Sequence, residues 1–125
     1  MALEVSSREI RAGVVVVTPI GAIDSDTDVI LEEHLKPLLS DGAKDIVFAM
    51  EGVDYLSSGG VRVILMTKKA LMKSGRKMVL VNMQPQIEKV FEIINALPSL
   101  KVFSTIEELD DYLDAIQRKV IETGA

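Results

Sequence analysis

The stretch Tyr55-Leu56-Ser57-Ser58-Gly59-Gly60-Val61-Arg62 places two hydroxyls and two glycines where a helical pattern begins. Three kinds of chemistry are open to it. A serine can cap a helix, because the first N–H groups of a helix lack partners within it and a side-chain oxygen can accept from one. Glycine-flanked amides can cradle a phosphate. A displayed serine can be phosphorylated, which adds about −1.5 to −2 charges and three acceptor oxygens. The glycines bear on the choice. Each lowers helix propensity by about 1 kcal/mol relative to alanine, so a cap alone gains nothing from them. Lacking a Cβ, Gly59 and Gly60 let another backbone or an enzyme's active site approach the serine. Tight packing of the loop on a sheet would require them equally.

The phosphate-loop version is weak. That loop needs a lysine and a hydroxyl directly after its last glycine, and here Val61-Arg62 follows. The Gly-x-Gly-x-x-Gly dinucleotide pattern is also missing. His34 is the single histidine. A Ser-His-Asp triad would need it to meet a serine and an acid in space, and no spacing favours that; it reads as a partly buried helical residue. The acids Asp24, Asp26 and Asp28 lack the glycine and glutamate of a calcium loop, and Asp110, Asp111 and Asp114 read as a solvated helix face. Glu51 and Asp54 fall near the place of a receiver domain's phosphorylated aspartate, but the companion acids and lysine do not line up. Cysteine is absent, which removes disulfides, thiol catalysis and sulfur-bound metals together. No metal and no cofactor are expected.

The elements that must position the serines follow from periodicity. Leu3, Val5 and Ile10 outline a first strand, Ala12-Gly13 a turn, and Val14 to Ile20 a strong second strand of β-branched residues. So short a turn implies an antiparallel pair. Asp24, Ser25, Asp26 and Thr27 are candidate caps for a helix carrying Ile30, Leu31, Leu35 and Leu38 toward Gly42. Pro37 should kink it or end it early. Asp45 to Met50 and Lys77 to Val81 read as strands covered on both faces. Between them, a helix from Ser57 or Ser58 to Ser74 is closed by Gly75. Pro85 opens a third helix through Ile87, Val90, Phe91 and Ile94. Lys101 to Phe103 is a weak further strand. Ser104 or Thr105 then caps a closing helix with Ile106, Leu109, Tyr112, Leu113, Ile116 and Val120 inward.

This order implies right-handed crossovers and one α/β domain over residues 1–121 with a frayed tail at 122–125. The sheet is expected to be mixed but mostly parallel, with four to five strands and about four helices. The length of 125 residues fits one domain. A net charge of −5 without a basic stripe argues against nucleic acid. No apolar run approaches the roughly 20 residues of a membrane span, and no secretory pattern opens the chain, so a cytoplasmic location is expected.

At about 100° per residue, the second helix turns Val61, Ile64, Leu65, Leu71 and Met72 to the core, with the stem of Lys68 along the same arc. Its other side carries Val63, Met66 and Ala70, flanked by Arg62, Thr67 and Lys69. Either a neighbouring helix covers that stripe or it is a partner-binding patch beside the serine.

In their order and spacing these residues resemble a STAS domain of the bacterial anti-sigma-factor-antagonist type. The match is carried by Gly21-Ala22-Ile23-Asp24, by Tyr55 to Arg62, and by Gly75-Arg76-Lys77 followed by an apolar strand and Gln84-Pro85. The resemblance implies a binding protein and not an enzyme. It implies that Ser58 is phosphorylated by an anti-sigma factor with serine kinase activity. The unphosphorylated form would bind that kinase and release the sigma factor, and phosphorylation would end the binding. Ser57 is the second phosphorylation candidate, standing where a related form of the motif has an acid. Asp24, Ser57, Gly59, Gly60, Arg62, Val63 and Met66 are the expected partner-contacting residues. The alternative within the family is an unphosphorylated STAS subunit of a transporter, lipid-trafficking or stress-signalling complex.

Overall fold

A run of β-branched residues loses side-chain freedom in a helix and packs well on a pleated surface. Val14 to Val17 accordingly open the longest strand. The computed structural model of the chain describes residues 3–40, 44–96 and 104–123. In chain order the elements are β1 (Glu4–Arg11), β2 (Val14–Ile23), α1 (Asp28–Ser40), β3 (Asp45–Ala49), β4 (Val53–Leu56), α2 (Ser58–Lys73), β5 (Met78–Val81), α3 (Pro85–Ala96) and α4 (Ile106–Thr123).

β1 and β2 pair antiparallel across the Ala12-Gly13 turn, where Gly13 has φ of 82°. Among the described residues every other pairing is parallel, and the strand order is β1-β2-β3-β5, with β4 beside β2. The fold is the expected single α/β domain with a mixed sheet.

β2 runs to Ile23, beyond the expected end at Ile20, and it serves two neighbours. Its first half pairs with β3, from Val14 opposite Asp45 to Val17 opposite Phe48. Its second half pairs with β4, with Ala22 opposite Tyr55 and Ile23 opposite Leu56. β4 has only four residues and includes an exposed aspartate, so no periodicity revealed it. It is nonetheless the strand that delivers the serines.

The helices and one face of the sheet share a single core, in which Ile23, Phe48, Leu35, Leu56, Ile64 and Leu113 are fully buried. The other face of β3 and β5 is only half covered, and Val79 is exposed. This corrects the expectation of strands buried on both sides. α1 is described through Ser40 and carries Pro37 inside it; the expected approach to Gly42 lies outside the described residues. α2 closes at Gly75 (φ 69°), where the Arg76 amide reaches the Leu71 carbonyl and the Gly75 amide that of Met72. α4 continues through Glu122 and Thr123, so the helix takes in the first half of the expected frayed tail. The weak strand at 101–103 lies outside the described residues.

The inward face of α2 is turned from the expected arc. Gly60, Val61, Val63, Ile64, Thr67 and Leu71 are buried, whereas Leu65, Lys68 and Met72 are exposed, Met72 at 65%. The cause is α1, which packs against α2 and buries the flank carrying Val63 and Thr67. In α4, likewise, Ile106 and Tyr112 are exposed and Gln117 is buried in their stead.

Candidate functional site

The serines sit at the junction of β4 and α2, and the two have different fates. Ser57 is the N-cap of α2. Its backbone is extended (φ −92°, ψ 176°), and its Oγ accepts from the Gly60 amide at 3.4 Å. The Ser57 amide donates to the Ile23 carbonyl at 2.9 Å, which ties the junction to the end of β2. The residue is only 4% exposed. Ser57 is therefore a structural cap, which corrects its place as a second phosphorylation candidate and as a partner contact: its hydroxyl is buried and occupied.

Ser58 is the first residue of α2 and is half-buried at the mouth of a groove of about 910 Å³. Its Oγ makes no hydrogen bond among the described residues, whereas its amide donates to Asp110 Oδ1 of α4 at 2.8 Å. The groove runs between α2 and α4. Val61, Leu65, Met66, Ile94, Ile106 and Leu109 form its apolar walls, and Asp28, Asp110, Arg62 and Lys69 contribute charge.

The glycines have separate reasons. A Cβ on Gly60 would fall 2.6 Å from Leu56 Cδ1, 2.8 Å from Ile23 Cγ2 and 3.1 Å from the Ile23 carbonyl oxygen. Gly60 is buried and lets the helix start sit directly on β2 and β4. It is a packing glycine, so its expected role in partner contact is not met. Gly59 lines the groove, and a Cβ there would collide with the Asp28 carboxylate. One carboxylate thus lies over Gly59 and another, that of Asp110, accepts from Ser58.

Asp24 occupies the neighbouring β2–α1 loop. Its Oδ1 accepts from the Asp26 amide at 2.9 Å and the Thr27 amide at 3.0 Å, and Thr27 Oγ1 donates to the Ala22 carbonyl at 2.7 Å. The loop is fixed by its own hydrogen bonds before any partner arrives. Tyr55 reports the field here. Burial pushes its phenol up, and the charges of Asp114 and Asp110, a hydrogen bond with Asp114 and the charge of Asp24 push the same way. The acids expected to form a solvated face of α4 thus divide. Asp111 is exposed, Asp114 acts on the Tyr55 phenol and pairs with Arg118 at 2.8 Å, and Asp110 accepts from the Ser58 amide.

On α2, Met66 is 50% exposed and Arg62 bridges to Glu32 of α1 at 3.2 Å while its other nitrogen lies 3.1 Å from Met66 Sδ. Val63 is 2% exposed and faces α1 across a cavity of about 240 Å³ shared with Leu35, Leu39 and Ala70. Val63 therefore leaves the expected partner surface. Val29, Leu65 and Ile106, which no sequence argument singled out for binding, are exposed apolar residues on the elements that surround Ser58. His34 Nε2 meets Ser7 Oγ of β1 at 2.9 Å, a structural contact remote from the serines in sequence. Among the described residues no acidic or histidine cluster could hold a metal ion, and no helix is long and apolar enough to cross a membrane.

A family model of the STAS domain matches residues 6–109, and the chain belongs to that family. A Bordetella bronchiseptica protein named as an anti-sigma factor antagonist, BtrV, is 31% identical over 87 residues, spanning 70% of this chain and 75% of its own length. The anti-sigma-B factor antagonist of Staphylococcus aureus is 34% identical over 73 residues, spanning 58% of this chain and 68% of its own. Among solved structures, the fold matches unphosphorylated SpoIIAA with a TM-score of 0.62 at 19% identity, covering 72% of this chain and 83% of that one. An anti-sigma factor antagonist from Mycobacterium paratuberculosis matches over 93% of this chain and 95% of its own, with a TM-score of 0.61 at 23% identity.

Proposed function

We propose that the protein is a phospho-switched binding module and not an enzyme. Its unphosphorylated form binds an anti-sigma factor that is also a serine kinase, and so releases the sigma factor. The kinase transfers the γ-phosphoryl group of ATP to Ser58 Oγ, the hydroxyl proton leaves to a base on the kinase, ADP departs, and the complex comes apart. The site of action is the cytoplasm, and no cofactor or nucleic acid takes part.

The observation that carries this reading is the contrast between adjacent hydroxyls. Ser57 Oγ is buried and capping, whereas Ser58 Oγ opens on a groove ringed by exposed apolar residues and carboxylates. That is the composition of a docking surface, with Met66, Leu65, Val29 and Ile106 as its apolar part and Asp24, Asp28, Gly59 and Arg62 beside the serine. A dianion added there enters an interface where it must be desolvated next to acids, which weakens docking strongly. Folding is less affected, because the hydroxyl lies at the rim of the core. The SpoIIAA structures of Bacillus include a phosphorylated form, and this chain matches it as it matches the unphosphorylated one, with TM-scores of 0.63 and 0.62. The alternative of a constitutive STAS subunit relied on a stripe of Val63, Met66 and Ala70, and α1 already covers Val63.

Ser58→Asp is expected to shift the unfolding free energy by no more than about 0.5 kcal/mol, as for a surface change, and to weaken kinase binding at least about tenfold, or 1.4 kcal/mol. Calorimetric melts and titration against candidate anti-sigma factors read both quantities. Intact mass after incubation with kinase and ATP, followed by peptide mapping, locates the phosphate. Modification at another residue, or equal binding by both forms, overturns the proposal.

A further inference from the structure

One edge of the sheet is open. Among the described residues β1 pairs only with β2, so the far side of an eight-residue strand carries free amides and carbonyls. Pro19 decides which ones. Val5 stands opposite Pro19, and proline has no amide to exchange, so the two form a non-hydrogen-bonded pair. By the alternation of an antiparallel ladder, the backbone groups of Val5 and Ser7 then point away from β2 and those of Ser6 toward it. The side chains alternate too. Val5 packs against the core and Ser7 Oγ meets His34 Nε2 of α1 at 2.9 Å, which puts the odd residues on the helix side. Glu4, Ser6 and Arg8 share the other side, and all three are exposed.

Glu4 and Arg8 make no ion pair among the described residues, whereas Glu9 is held by Lys44 at 2.7 Å. A charged edge ordinarily deters strand pairing. It does so when like charges meet, but the order Glu4, Ser6, Arg8 is complementary to its own reversal. Two antiparallel copies must set outward-facing backbone groups opposite one another, so the twofold axis passes through a residue. Centred on Ser6, Glu4 of each copy stands opposite Arg8 of the other. Centres at Val5 or Ser7 set Glu4 against Ser6 or Ile10, and a centre at Arg8 brings two guanidinium groups together. The bulge between Glu9 and Arg11 ends the regular edge just beyond the segment needed. On the helix side, Ile30 lies one turn before His34 on the same flank of α1 and is 40% exposed.

We propose that the protein forms a homodimer by antiparallel pairing of β1 with β1 of a second copy, centred on Ser6. The amides and carbonyls of Val5 and Ser7 exchange hydrogen bonds across the axis. Glu4 and Arg8 pair on the open side of the sheet, and on the other side the α1 flanks carrying Ile30 face each other. The contact is isologous and closes on itself, so association stops at two chains. β1 contributes no residue to the groove at Ser58. The dimer therefore presents that groove twice, and the inference stands independently of what Ser58 does.

Sedimentation equilibrium of the full chain, in a series reaching about 1 mM, reads a dissociation constant of that order or tighter. Wild type is expected to fit a monomer–dimer equilibrium with no larger species. Arg8→Glu and Glu4→Arg each set like charges opposite one another and should weaken the dimer at least about tenfold. The double variant Glu4→Arg/Arg8→Glu reverses both charges and should return to within about threefold of wild type, as a coupled pair requires. Ser7→Pro removes an amide that faces the free edge, where proline is tolerated. It should abolish dimerisation while circular dichroism shows a folded monomer. The charge variants lie on an exposed face and decide the matter even where Ser7→Pro does not fold. A wild type that stays monomeric to about 1 mM overturns the proposal. So does a dimer that survives both single reversals, or one that the double variant fails to restore, since either places the contact elsewhere.

Discussion

The two ends of α2 are closed by different means. At the C-terminal end, Gly75 turns into the left-handed region and the amides of Gly75 and Arg76 return to Met72 and Leu71. All the partners lie within six residues of sequence, and nothing packs near Gly75. At the N-terminal end, the cap Ser57 is local, but the Ser58 amide is satisfied from a helix 52 residues away and the preceding Leu56 from 61 residues away. Gly60 is required there by contact with β2 and β4, not by its backbone angle. The C-terminal end is a self-contained stop signal. The N-terminal end is a meeting point of β2, β4, α1, α2 and α4, and a covalent change there reaches several elements at once. That is a physical reason for the proposed switch to sit at one end of the helix and not the other.

Gln117→Leu is the strongest test of this contrast. It leaves the buried N–H and C=O of Leu56 without partners, at about 1–3 kcal/mol each. Urea unfolding should therefore show a loss of about 2–6 kcal/mol, although the substituted residue lies far from Leu56 along the chain. A loss below about 1 kcal/mol would mean that α4 contributes little to the junction. Gly75→Ala should act more weakly and only locally. Holding a residue with a Cβ at φ of 69° costs about 1–2 kcal/mol, and the open space around it adds no clash. Binding of the proposed kinase partner should be unchanged in Gly75→Ala at temperatures where the protein is folded.

The same contrast explains how much of the molecule could be read from its sequence. Gly75, Pro85, the Ala12-Gly13 turn and the β-branched run of β2 are signals whose meaning is local, and the structure places each as expected. β4 escaped because four residues with an aspartate among them carry no period. The helical wheel left two readings of the Val63 stripe open, cover by a neighbouring helix or a partner patch, and could not choose between them; α1 covers Val63. Asp110 read as part of a solvated helix face, Gln117 was not singled out, and nothing within a few positions of either signals a partner in the β4–α2 junction. The Ser57–Gly60 motif was visible, but the division of labour inside it was not: which hydroxyl caps and which is open depends on where β2 ends beneath them.

The smallest expected effect concerns the field at that junction. Burial and the nearby charges of Asp114, Asp110 and Asp24 push the Tyr55 phenol above its ordinary value of 10.0. As pH rises past that value, the phenol of the unfolded chain ionises first, so the native state retains the proton while the unfolded state loses it. The unfolded state then binds fewer protons, and stability falls with rising pH until the native phenol also ionises. Below pH 10 the group has no such effect, since both states are protonated. Tyr55→Phe removes the ionisation, and its stability should therefore decline less than that of the wild type above pH 10. Subtracting one pH series of urea midpoints from the other cancels the titration of the lysines. Asp110→Asn, by taking away one of the negative charges, should reduce the wild-type decline without abolishing it, whereas a substitution at the Gly75 end should leave it untouched. Identical alkaline curves for wild type and Tyr55→Phe would show that the acids of α4 do not act on Tyr55, and would remove one support for a negatively charged surround at Ser58.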